Sequence, residues 1–471
     1  MPRDWLARKP VSSFTSEQDG GTGHSLKRTL GPIDLTLLGI GAIIGTGIFV
    51  LTGVAAVEHS GPAVVASFAI AGVVCGFAGL CYAEFATMMP ISGSAYSYAY
   101  ATLGELVAWV IGWDLILEYA FASSTVAVGW SGYFGRIVSM LGITIPSWLA
   151  HSPWEEVGAI ANLPAAGILV LVTWLLVVGI RESASTNAVI VALKVLVVLF
   201  VIFAGARHVD TANWHPFAPF GWPGVMAGAA TVFFAYIGFD AVTTAAEESR
   251  RPERDMPIGI LGSLAVCTLL YLLVSGVVTG MTPLAEIDTH APIAAAFARI
   301  GLDFAATLIS LGAIAGLTSV LLVLMLGQSR VFFAMSRDGL LPPVFSQVHP
   351  RFRTPHISTM LVGAAVAVIA AFMPLKELAE LVNIGTLFAF VIVSAAVIVL
   401  RRSEPDLHRP FRCPWVPAVP IISIVGCFYL MASLPGVTWI RFAVWLVIGL
   451  GIYGFYGNRH SRVGAAQRAH G

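Results

Sequence analysis

Lys194 stands in the run Asn187-Ala-Val-Ile-Val-Ala-Leu-Lys194-Val-Leu-Val-Val-Leu-Phe200, apolar on both sides and distant from either end of the stretch. An ammonium near the middle of a bilayer costs about 2.5–3.5 kcal/mol even on insertion scales, so it must find a partner or release its proton. A group that can do either is a candidate proton carrier, and a salt bridge that merely pins its helix is the structural alternative. Asp114 and Glu118 lie four residues apart in a second apolar stretch, hence on one face of a helix. Glu118 is the better placed to face a cavity or to receive a basic group, against a purely helix-pinning role. Asp240 closes Phe233-Phe234-Ala235-Tyr236-Ile237-Gly238-Phe239-Asp240. It is a second candidate for proton coupling, or else the cap of a half-helix.

Backbone can do chemistry as well, where a helix is made to break. Gly39-Ile-Gly-Ala-Ile-Ile-Gly-Thr-Gly-Ile-Phe49 places four glycines in an apolar segment, each costing about 1 kcal/mol against alanine in a helix interior. Unwinding is expected at Gly45, Thr46 and Gly47. Non-helical backbone is tolerated at membrane depth only when it is buried in protein or lines a cavity. The amides of Gly45, Thr46 and Gly47 would open a second half-helix whose positive dipole end favours an anion, while the Ile43 carbonyl, ending the first half, faces a cation. Carbonyls of Phe234, Ala235 and Ile237 would complete a cation cage, with Ile44, Phe234 and Tyr236 or Phe239 as apolar surround. Close helix packing through small residues is the alternative for the glycines, and core packing for the aromatics.

The elements that must position these groups are membrane spans. Of 471 residues, 57% are hydrophobic and 11% charged, with mean hydropathy +0.84. Apolar runs of about 20 residues recur to the end of the chain, which excludes a soluble enzyme on a single anchor. Twelve spans are predicted, at 33–56, 62–88, 96–125, 164–181, 185–206, 222–246, 256–280, 301–329, 356–373, 378–400, 415–433 and 437–457. The polar first 30 residues hold no apolar core of a signal peptide and are expected to be a mobile tail, with Trp5 and Phe14 able to dock. With the N-terminus inside, 20 of the 26 Lys and Arg residues fall on the cytoplasmic side, five outside and Lys194 within a span. Both termini are therefore expected in the cytoplasm of a cell with this protein in its plasma or inner membrane. Glu84, near that side, reads as one half of a gate salt bridge, and Glu247, Glu248, Arg250 and Arg251 as interfacial.

The two interrupted helices, spans 1 and 6, lie five spans apart, so two five-helix units of opposite orientation each begin with a broken helix. This is the inverted-repeat pattern of secondary transporters, with the site at the midplane. The implied organisation is a tail at 1–30, a first repeat at 31–210, a second inverted repeat at 211–402, two extra helices at 403–458 and a tail at 459–471. Five cysteines stand singly, and no Cys-x-x-Cys, His-Glu-x-x-His, Gly-x-Ser-x-Gly or Walker spacing occurs. Neither an enzyme, a cofactor, a metal site nor a nucleic-acid partner is expected.

Gly39 to Phe49 resembles the cationic amino acid transporter family of the amino acid, polyamine and organocation superfamily. So do Tyr82-Ala83-Glu84-Phe85-Ala86 through Pro90 and Gly93-Ser94-Ala95-Tyr96, Gly112-Trp113-Asp114 through Glu118-Tyr119, and Phe233 to Asp240. Glu247-Glu248 before Arg251-Pro252, and Gln328-Ser329-Arg330 through Met335-Ser336-Arg337-Asp338-Gly339-Leu340-Leu341-Pro342, extend the likeness over about residues 25–456. The resemblance implies an all-α, LeuT-like five-plus-five fold with two additional helices. It further implies alternating-access transport of an L-α-amino acid, proton-coupled or by exchange, with the backbone groups above holding carboxylate and ammonium. Relatives of this fold that use sodium bridge spans 1, 5 and 8 with the cation. Lys194 on span 5 resembles a built-in replacement, which predicts sodium independence. Cationic and neutral amino acids both remain open as cargo, as does a small single-span accessory subunit as partner. A polyamine or organic-cation carrier of the same fold, and an amino-acid-sensing receptor, are the competing readings.

Overall fold

A computed structural model describes residues 29–89, 94–179, 184–350 and 354–462. The predicted tails at 1–28 and 463–471, the Pro90 to Gly93 part of the span 2–3 motif, the Glu247 side chain, and Arg351 and Arg353 lie outside the described residues. Among those described, the chain is helical, with one bridge between Leu30 and Ser249 in place of any sheet. Eight stretches are long and apolar enough to cross a membrane, and four shorter apolar helices accompany them.

The helices run α1 (Pro32–Ile43), α2 (47–60), α3 (Val64–Met88), α4 (Ser94–Thr102), α5 (Glu105–Met140), α6 (Leu163–Val178), α7 (Ala184–Gly205) and α8 (Gly221–Val232). They continue as α9 (Pro252–Met281), α10 (Pro292–Arg299), α11 (Asp303–Arg337), α12 (His356–Phe372), α13 (Leu375–Ser403), α14 (Ala418–Ala432) and α15 (Gly436–Ile452). At 1.5 Å per residue the 12 residues of α1 reach about 18 Å, so α1 and α2 must act together to cross about 30 Å of hydrocarbon. The 12 residues of α8 likewise fall short alone and need the turns at 233–244 to complete a crossing.

Local chemistry sets several boundaries. The Asn162 side chain accepts from the Ala165 amide at 3.1 Å, starting α6, which ends at Gly179 in the left-handed region. Asp255 accepts from the Arg251 amide at 3.1 Å, just ahead of Pro252 at the first turn of α9. The predicted third span, 96–125, is in fact divided: Gly104 at φ 97° turns the chain between α4 and α5, and α5 then runs 36 residues to Met140. Its extension beyond Thr125 carries Gly129 and Ser131 inward, small or polar residues that lower the hydropathy while the packing keeps the helix.

The core is built by α11 along α5, α9 along α1 and α3, α13 along α5, and α12 along α6. Close approach uses glycine: a Cβ on Gly39 would fall 2.5 Å from Ser263 Oγ on α9, and one on Gly312 at 2.5 Å from Val197 on α7. Helix α15 is held to α5 by indoles. Trp113 stacks on Trp445 at 4.5 Å, and the Trp109 N–H donates to the Gly449 carbonyl at 2.9 Å.

Candidate functional site

Helix α1 stops at the glycine run that predicts its end, one residue early. Ile44 takes extended backbone (φ −71°, ψ 101°), while Thr46 is already helical and α2 begins with a π-turn at Gly47–Leu51. The break is thus Ile44–Gly45, with Thr46 and Gly47 as the opening of α2. The first amides of a helix have no intrahelical acceptor, and here they open toward the break. The second interruption centres on Ile237, extended at ψ 133°, and Gly238 at φ 116°, a conformation that L side chains rarely adopt. Beyond Gly238 the chain makes a set of turns and the short helix Ala241–Thr244, in place of the long second half-helix expected to 246.

The two breaks lie against each other. A Cβ on Gly47 would fall 2.2 Å from the Cα of Ala235, and one on Gly238 would fall 2.9 Å from the carbonyl of Ala42. Glycine at these two positions lets backbone meet backbone, so amides at the head of α2 and carbonyls of the 233–237 turn share one small region. By contrast a Cβ on Gly45 would meet only the side chain of Val320 on α11, at 3.3 Å.

Tyr271 of α9 joins the breaks. Its hydroxyl lies 2.9 Å from the Ile43 carbonyl and 2.8 Å from the Ala235 carbonyl, and its single proton can serve only one at a time. Two carbonyls expected to face a cation are therefore already gathered about one hydroxyl, each with a lone pair in reserve. The Phe234 carbonyl accepts from the Ile237 amide at 3.2 Å, completing the turn. Sequence reasoning misses Tyr271; an aromatic hydroxyl inside Leu269-Leu270-Tyr271-Leu272-Leu273 is its one signal.

Lys194, 1% exposed, reaches the same backbone from the other side. Its ammonium donates to the carbonyls of Gly41 at 2.8 Å and Ile44 at 3.3 Å, at the frayed end of α1. Its stem lies on Gly316 of α11, where a Cβ would come within 3.2 Å of Cε. One side chain therefore bridges α1, α7 and α11, and its charge is satisfied by carbonyls that the break sets free.

The remaining candidates divide. Thr46 is fully buried with its hydroxyl unpaired, against Gly129 of α5. Ile44, Phe234, Ala235 and Ile237 are all buried beside the breaks. Tyr236 and Phe239 turn into the core: the Tyr236 hydroxyl donates to the Phe68 carbonyl at 2.8 Å, and Phe239 packs on Tyr82 and Phe390. Glu118, 2% exposed, lies one turn beyond Asp114 on α5, which packs along α13. Asp114 also faces α13, with a Cβ on Gly385 placed 2.7 Å from Oδ1, and neither of its carboxylate oxygens is paired. Asp240, 4% exposed, heads the short helix Ala241–Thr244 without a side-chain cap hydrogen bond.

Glu84 makes the ion pair expected of it. It accepts from Arg401 Nε at 2.9 Å and Nη2 at 2.8 Å and from the Cys413 amide at 2.7 Å, with Arg409 Nε at 3.4 Å. Arg409 in turn donates to the carbonyls of Leu400 and Glu404, closing the end of α13.

Comparison with known proteins agrees with this architecture. Residues 30–453 match the amino acid permease family. The chain is similar to the methylthioribose transporter of Bacillus subtilis (strain 168), 50% identical over 96% of this chain and 98% of the relative. It is 52% identical to a branched-chain amino acid permease of the same organism, over 93% of this chain and 95% of the relative. The vacuolar cationic amino acid transporter 4 of Arabidopsis thaliana is 40% identical over 85% of this chain and 68% of the relative. Two broken helices joined through backbone, in a chain of apolar helices with these relatives, make this protein a multi-pass membrane transporter of the amino acid permease family.

Proposed function

We propose that the chain carries a neutral L-α-amino acid with an apolar side chain across the cell membrane, without sodium, by alternating access. The observation that carries this reading is the meeting of the two helix breaks at Gly47 and Ala235. A zwitterion fits such a place: the amides heading α2 favour its carboxylate, and the carbonyls of Ile43, Ala235 and Ile237 favour its ammonium. Ile44, Phe234 and Val320 offer the side chain an apolar surround. That arrangement favours neutral over cationic cargo, in keeping with the name of the branched-chain relative.

The eight long and four shorter apolar segments support twelve spans once α1 is joined to α2 and α3 is counted separately from Gly61 onward. Twelve spans in turn support the five-plus-five inverted arrangement with two further helices. In it, spans 1, 2, 6 and 7 rock against spans 3, 4, 8 and 9, both termini lying in the cytoplasm. Lys194 supplies the fixed positive charge at the α1 break, and loss of its proton would release the Gly41 and Ile44 carbonyls and loosen α1 from α7 and α11. Asp240, beside the second break, is the second site at which a proton would act. A small single-span accessory subunit would dock on the lipid-facing helices.

The methylthioribose relative supports a second reading, a thioether sugar as cargo, because it is half identical over nearly its full length. Counterflow in proteoliposomes loaded with unlabelled leucine and offered labelled leucine, arginine or methylthioribose separates these. Saturable leucine counterflow in sodium-free buffer is expected. Exchange of methylthioribose alone would move the protein to the second reading, and arginine alone would make the cargo cationic, with Glu118 the candidate to receive its basic group.

A further inference from the structure

Two histidines far apart in sequence meet at the end of the bundle where α5 leads toward α6 and α9 leads toward α10. The rings of His151 and His290 have centroids 5.0 Å apart. One ligand atom each from His151, Glu155 and His290 lie within 4.8 Å of one another, and Glu156 Oε2 lies 3.5 Å from His151 Nε2. No spacing in the sequence reveals this grouping, because its two halves belong to different loops. Both loops are anchored at the backbone. The first is tied by Asn162, whose side chain donates to Ser131 Oγ at 2.9 Å and whose amide donates to the Ala371 carbonyl at 2.9 Å. The second turns at Asp288, which accepts from the amides of His290 at 2.7 Å and Ala291 at 2.9 Å, and its His290 carbonyl lies against Gly132 of α5, where a Cβ would fall 2.8 Å away. Small rotamer changes in these partly exposed side chains would bring the ligand atoms to the spacing a metal needs.

We propose that His151, Glu155 and His290 bind a divalent transition-metal ion of the zinc class, with water as fourth ligand. Two imidazoles and a carboxylate suit zinc, copper or nickel and not calcium or magnesium, which take oxygen ligands. The ion staples a loop fixed to α5 and α12 onto the loop that enters α10. That second loop covers α2: a Cβ on Gly53 would meet Pro292 at 2.7 Å and the Asp288 carbonyl at 2.9 Å. Since α2 opens at the helix break, a bound ion holds the cover over the broken-helix site and arrests the transport cycle. The metal site stands independently of the transport reading; the arrest rests on it.

The test uses the full chain without a histidine tag, purified in detergent. Titration calorimetry with Zn2+ is expected to show one equivalent bound, weakened at least tenfold by His151→Ala and by His290→Ala, with Co2+ giving tetrahedral visible absorption at the same site. These surface substitutions should leave the metal-free melting temperature unchanged. Wild-type zinc binding in the double variant would overturn the site. In proteoliposomes, Zn2+ should inhibit leucine counterflow by the wild type and not by His290→Ala; binding without inhibition would overturn the staple. A protein that carried no substrate would sink the transport reading while leaving the titration to decide the site.

Discussion

Among single residues, the breaks depend on Lys194, on two glycines and on Tyr271. Lys194 donates two charged hydrogen bonds to carbonyls that no helix can use, each worth about 1.5–3 kcal/mol. Lys194→Ala should therefore abolish proton-stimulated uptake while retaining measurable substrate binding, read as leucine uptake against external pH beside equilibrium binding. Normal pH dependence in the variant would remove Lys194 from coupling. The glycines are distinguished more sharply by the structure than by sequence. Gly47→Ala drives a methyl into the Ala235 backbone and should destabilise the protein by at least about 1–3 kcal/mol, read in its melting temperature. Gly45→Ala meets only Val320, so it should leave the melting temperature nearly unchanged and weaken substrate binding at least tenfold. Tyr271→Phe removes the one proton shared by the Ile43 and Ala235 carbonyls. It should raise the half-saturating leucine concentration more than it lowers the maximal rate, since those carbonyls lose their organiser.

For the helices, the sequence marks where they fail better than what replaces them. Glycines in an apolar stretch locate both breaks to within a residue or two, because each weakens a helix that lipid would otherwise hold intact, and at Gly238 the left-handed backbone excludes most side chains. The turns after Gly238 are not legible, since Phe239 to Ala246 has the composition of a helix and is turned aside by its packing on α1, α3 and α13. Tyr271 is equally hidden: one tyrosine in a leucine run carries no periodic signal until α9 is laid across both breaks. The Glu84 clamp reads as an ion pair from its place near the arginine-rich side, but its reach to the Cys413 amide and the end of α13 is tertiary. Glu84→Ala would leave Arg401 and Arg409 facing each other without their shared carboxylate. A loss of about 2 kcal/mol is expected, below the usual cost of breaking a buried pair because Arg401 stays partly exposed. Thermal melting in detergent checks it, with Arg401→Ala expected to cost less because Arg409 and the Cys413 amide still hold Glu84.

For the molecule as a whole, orientation is expected to follow charge, because helix packing by itself does not distinguish the two sides of a membrane. The positive-inside asymmetry is the physical term that chooses, acting on short loops next to the spans. It predicts the loop of His151 to Asn162 outside and the Arg401 to Arg412 segment inside. All five native cysteines are buried, so an impermeant maleimide should find no native target at the surface of the folded protein. Val157 is fully exposed in the first of these loops and Asp406 is exposed in the second, which makes each a clean reporter once changed to cysteine. In intact cells Val157→Cys should label from outside at once, and Asp406→Cys only after the membrane is permeabilised. The reverse pattern would invert the molecule in the membrane, place the His151 and His290 cluster in a reducing compartment, and turn the proposed cover over α2 to the opposite side. Equal labelling of both before permeabilisation would mean that the two loops share a side, which an odd number of crossings between α5 and α14 forbids and an even number allows.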